Sequence, residues 1–99
     1  MLSKSQISFV KSLHQKKFRK EHRLFIVEGI KSVTEFIHSD YLVRSVYCTE
    51  NLVPKLANLS QKTKVNEISQ ADLSRISTLS SPQGALALVE IPGDQKIQG

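Results

Sequence analysis

The chain has 99 residues, 39% hydrophobic and 23% charged, with four glycines and three prolines; this is one domain with one core, and it excludes collagen-like, low-complexity and disordered classes. No run approaches the roughly 18 consecutive apolar residues of a membrane-spanning helix, and the single Cys48 excludes a disulfide framework or a thiolate zinc cluster, as expected in a reducing, cytoplasmic setting. Fourteen Lys and Arg against nine Asp and Glu leave a net charge of +5, and the whole surplus falls in residues 1–35.

Ser3 and Gln6 form a capping-box pattern ahead of Ile7, Val10 and Leu13, with Phe9 alongside, and predict a helix over 4–15. Lys4, Lys11, Lys16 and Lys17 then lie on its exposed side and at its C-terminal end, where cations suit the helix dipole. Residues 16–24 have no clean period and read as a basic loop. Phe18 inside that loop has two readings: an anchor to the core, which is favoured, or a ring offered to an unpaired base. Serines and the lack of acids before Glu21 faintly suggest an organellar presequence. Lysine dominates over arginine, however, so residues 1–24 are read as part of the mature protein.

Leu24 to Val27 is a continuous apolar run, a short buried strand ending at Glu28 and Gly29, where glycine permits a tight strand-to-helix turn. Ile30, Val33, Phe36 and Ile37 predict a helix over 30–39, and residues 43–49 a second strand. Asn51 is the expected cap of a short helix carrying Leu52, Leu56 and Leu59, with Pro54 tolerated in its first turn. Residues 65–68 read as a third strand, Ser69 and Asp72 as a second capping box before Leu73 and Ile76, and 77–83 as a polar loop. Residues 85–91 complete the pattern as a fourth strand. After Pro92 the composition is that of a flexible tail leaving one domain for another. Alternating strands and helices predict an α/β protein, a three-layer α/β/α sandwich with a four-stranded, mostly buried sheet.

Motifs for covalent chemistry are missing: there is no phosphate-binding loop, no G-x-G-x-x-G and no H-E-x-x-H. His14, His22 and His38 are scattered and read as surface residues, and Cys48 reads as a buried structural thiol. Glu28, at the end of a buried strand, is expected to orient a Lys or Arg of the basic segment. That segment, with Lys11, Lys16, Lys17, Arg19, Lys20 and Arg23 within thirteen positions, carries the one-signed field that attracts a polyanion.

Lys16-Lys17-Phe18-Arg19, then Phe25-Ile26-Val27-Glu28-Gly29, then Val33 and Glu35, and finally Ser81-Pro82-Gln83-Gly84-Ala85-Leu86-Ala87 resemble the N-terminal substrate-binding domain of SpoU/TrmH-type RNA 2′-O-ribose methyltransferases over about 8–91. The resemblance implies a fold similar to kink-turn-binding ribosomal proteins, spanning residues 1–92. Residues 93–99 would then begin a linker to a C-terminal knotted domain that binds S-adenosylmethionine and dimerises. It implies RNA as partner, ribosomal RNA ahead of transfer RNA, and no catalysis by these 99 residues alone. Lys11, Lys16, Lys17, Arg19, Lys20, Arg23, Glu28 and Gln83 become the candidate RNA-binding residues. Pro82 and Gly84 beside Gln83 are also ordinary turn chemistry. A free-standing kink-turn RNA-binding protein and a basic protein-interaction module are the alternatives.

Overall fold

The computed structural model describes residues 2–58, 63–80, 82 and 84–92. Helix α1 (Lys4–Ser12) starts as its sequence dictates: the Ser3 hydroxyl accepts from Gln6 N–H and the Gln6 side chain accepts from Ser3 N–H, closing the capping box. It ends three residues earlier than predicted, at a cap on Leu13. The expected basic loop is instead helix α2 (Lys16–His22), stopped by Arg23 in the left-handed conformation at φ 58°. Three elements then follow, strand β1 (Leu24–Glu28), helix α3 (Ile30–Ile37) and strand β2 (Val43–Cys48). Between β1 and α3, Gly29 takes φ 96°, the open backbone that its turn requires.

A 3₁₀ turn (Glu50–Leu52) leads into helix α4 (Val53–Ala57), with Pro54 in its first turn as expected. Asn51 does not cap it. Thr49 is the residue ahead of the turn, and its hydroxyl donates to Asn51 Oδ1. Leu59 lies outside the described residues. Strand β3 (Lys64–Glu67), helix α5 (Gln70–Ile76) and strand β4 (Ala85–Glu90) complete the domain. Only half of the second capping box forms: Ser69 Oγ accepts from Asp72 N–H, but the Asp72 carboxylate turns away to accept from Leu2 N–H and to pair with Arg75. The long-range contact won because Asp72 is buried and needs a donor there, and Leu2 supplies it.

The sheet order is β1-β4-β2-β3, with β4 antiparallel to both neighbours and β2 parallel to β3. Residues 85–89 of β4 are all buried and alternate between two cores. Leu86 and Leu88 meet Val10, Leu13, Leu24, Leu73 and Ile76 under α1 and α5, while Ala85, Ala87 and Val89 meet Val33, Val46, Cys48 and Leu56 under α3 and α4. This is the predicted three-layer α/β/α sandwich, with helices on both faces of one sheet. Each fully buried leucine contributes about 2 kcal/mol of transfer free energy. β1 and β3 are the edges, and the edge formed by β1 is the one beside α2.

Candidate nucleic-acid interface

At 100° per residue, α2 divides into two arcs. Lys16, Lys20, Lys17 and Glu21 fall on one side and are exposed; Phe18, His22 and Arg19 fall on the other and are half-buried. The inner arc attaches the helix. Arg19 Nη1 donates to the carbonyl oxygens of Leu13 at 3.1 Å and His14 at 3.0 Å, which are left free where α1 ends. His22 lies edge-on to Phe9 at 4.9 Å between ring centroids and stacks on Phe18 at 6.4 Å, and Phe9 rests on the core. Phe18 therefore reaches the core through His22 and Phe9, a more superficial anchor than the one predicted.

The outer arc carries three lysines and one acid, Glu21. Lys17 Nζ sits 5.1 Å from the Phe18 ring centroid, and no carboxylate lies within ion-pair distance of Lys11, Lys16, Lys17 or Lys20 among the described residues. Lys11 is exposed in the last turn of α1, just ahead of the arc. Arg23 is placed differently. Its guanidinium reaches Pro92 O and its carbonyl accepts from Ile91 N–H, tying the end of α2 to the end of β4. The eight expected RNA contacts thus separate into four solvent-facing lysines, two arginines engaged by the fold, Glu28 and Gln83. Gln83 lies outside the described residues.

Glu28 does not orient a Lys or Arg, as its sequence position suggested. Its carboxylate accepts from Ser77 Oγ, Thr78 Oγ1 and, at 2.7 Å, Thr78 N–H, and so pins the start of the 77–84 loop to the end of β1. The loop's other end is fixed by Gly84 at φ 87°, where a Cβ would come within 2.9 Å of Leu52 Cδ1. Two histidines are likewise less superficial than predicted. His14 Nε2 donates to Ile76 O at 2.9 Å, His22 is wedged between rings, and only His38 is exposed. Between α2 and β1 these pieces enclose an open groove of about 350 Å³ lined by Leu13, His14, Arg19, Ile26, Glu28 and Thr78, together with Phe25.

Cys48 is fully buried, as predicted. Burial and, secondarily, the charge of Glu67 push its thiol up from its ordinary value, the opposite of an activated nucleophile. Burial also raises the Tyr47 phenol, opposed in part by its hydrogen bond to Ser45. Sequence reasoning missed His14, Ile26, Ser77 and Thr78 as parts of this region. The polar character of 77–80 was visible, but not that a residue some 50 positions earlier would hold it.

The domain is thus an α/β/α sandwich with one lysine-faced helix beside the β1 edge of its sheet. Residues 4–87 match the MRM3-like substrate binding domain, and the chain belongs to that family, the substrate-binding domain of SpoU/TrmH RNA methyltransferases. A solved structure assigned to the TrmH family of RNA methyltransferases from Porphyromonas gingivalis shares 33% identity and a TM-score of 0.82 over 94% of this chain. The AdoMet-bound rRNA methyltransferase from Sinorhizobium meliloti shares the fold at 23% identity and a TM-score of 0.77 over 93% of this chain. So does the SpoU methyltransferase AviRb from Streptomyces viridochromogenes, at 15% identity and a TM-score of 0.76 over 98% of this chain. The chain spans 37%, 36% and 40% of the lengths of these three proteins. No curated protein sequence matches it.

Proposed function

We propose that this chain is the RNA-recognition domain of an S-adenosylmethionine-dependent 2′-O-ribose methyltransferase acting in the cytoplasm on ribosomal RNA. The observation that carries the reading is the outer arc of α2, where Lys16, Lys17 and Lys20 face solvent together on a domain of this family. Lysines contact phosphates without reading sequence, so the arc supplies affinity and register for RNA, and base identity is read elsewhere.

Methyl transfer and dimerisation belong, in this reading, to a second domain reached through residues 93–99, which lie outside the described residues. In this reading S-adenosylmethionine is held by that second domain as well. In the cleft beside residues 49–51 and 67–72, the Asp72 carboxylate is engaged by Leu2 N–H and Arg75, and the Asn51 amide oxygen by Thr49. No step of the methyl transfer is assigned to this chain.

Titrating the chain with ribosomal RNA fragments and with a charge-matched acidic polypeptide, at several salt concentrations, tests the proposal. Preference for RNA at every salt concentration supports it, and equal binding of both polyanions refutes it.

A further inference from the structure

We infer that the open edge of β1 receives one unpaired RNA base; the inference rests on the RNA-binding reading above and extends it to a second surface. The register decides which backbone groups are free. Ile91 N–H donates to Arg23 O and Gly29 N–H donates to Ala85 O, so Arg23, Phe25, Val27 and Gly29 are the positions whose backbone groups point at β4. In an antiparallel pair the alternate residues turn their N–H and C=O the other way. Those of Ile26 and Glu28 therefore point off the sheet, and among the described residues β1 has no neighbouring strand on that side. No described group bonds to them.

An exposed row of unpaired donors and acceptors recruits an external partner unless the fold covers it. Here the edge opens into the groove between α2 and Thr78. Leu13 and Ile26 make that groove's apolar floor, and His14, Arg19, Glu28 and Thr78 its polar rim. Its volume of about 350 Å³ falls at the small end of ligand clefts. Ile26 offers one N–H and one C=O side by side, and the Watson–Crick edge of an unpaired base offers the acceptor and donor to match.

Charge selects the occupant. An extended peptide could also pair with the edge, but the lysine arc lies across the helix that bounds the groove, roughly 10 Å away. A polyanionic strand lying on the lysines can place a base in the groove, and a neutral peptide gains nothing from them. Because every base carries a donor and an acceptor on that edge, the site adds affinity without strong base preference.

The test uses the 99-residue chain and amide-resolved NMR, titrating a single-stranded uridylate dodecamer, an abasic phosphodiester of the same length and an extended neutral peptide. The uridylate is expected to shift the Ile26 and Glu28 amides and slow their hydrogen exchange about tenfold. The abasic strand is expected to bind roughly fivefold to tenfold more weakly and to leave those amides unmoved. Shifts confined to α2 with either strand would overturn the base site while leaving the RNA reading standing. Absence of any response would overturn the RNA reading itself. Protection of those amides by an extended peptide but not by RNA would assign the edge to protein and overturn the inference.

Discussion

Helices α1 and α2 are adjacent in sequence and both net basic, yet they are held by different physics. α1 is closed by a capping box and buries Val10 and the following Leu13 completely against the sheet. α2 buries no residue fully, and its attachment is two hydrogen bonds from Arg19 and the ring contacts of Phe18 and His22. The difference shows how a small domain can dedicate a helix to a charged ligand. When attachment is polar and aromatic and limited to three side chains, the remaining arc is free to carry a surplus of lysines that an apolar stripe would displace.

The sharpest way to break the comparison is to cut one anchor in each helix. Leu13→Ala removes a side chain only 1% exposed and should cost about 2–5 kcal/mol in urea unfolding. A cost under 1 kcal/mol would mean that α1 is not the helix the core depends on. Glu28→Ala strands the donors of Ser77 and Thr78 at the other side of the groove. It should cost about 1–3 kcal/mol and speed proteolysis within 77–84. Unchanged cleavage would show that the loop is held by other contacts. Arg19→Ala removes both bonds to the end of α1 and should cost about 1 kcal/mol. Because Arg19 acts on the fold, the salt slope of RNA binding should stay as it is; a reduced slope would make Arg19 a phosphate contact.

The smallest effect is in pH. The Cys48 thiol is raised in the folded state, so its contribution is fully present below its unfolded pKa and is lost as pH rises through the alkaline range, with Tyr47 adding to the loss at still higher pH. Unfolding free energy should decline slightly above roughly pH 8.5, and Cys48→Ala should flatten the first part of that decline. An identical profile in the variant would remove the thiol from the account.

The two helices also differ in how far their sequences announce them. α1 displays its cap and its apolar period, and β1, α3, β2 and β4 are equally legible because each buries a continuous run or a regular stripe. α2 displays neither: its inner arc is Phe18, Arg19 and His22, two of them polar, and its stop is an arginine at φ 58° where a glycine would have been a recognisable signal. The lysines of the interface could be read as a cluster from composition alone. That Arg19 and Arg23 would be drawn into the fold could not, because their acceptors are backbone carbonyls, at Leu13, His14 and Pro92, that any sequence would supply. Glu28 was recognisable as an acid needing a partner, but Ser77 and Thr78 carry no charge to point to it. The free edge of β1 depends on strand order, which the pattern of alternating elements leaves open.

The most direct test of the central claim, that the outer arc of α2 grips phosphates, is the salt dependence of RNA binding by the chain and by its Lys16→Ala, Lys17→Ala, Lys20→Ala triple variant. The account predicts a variant with the stability of the parent to within about 0.5 kcal/mol and a log–log salt slope on single-stranded RNA reduced by about 2, three phosphate contacts at roughly 0.7 each. A folded variant that binds with the parent's affinity and the parent's slope would contradict it.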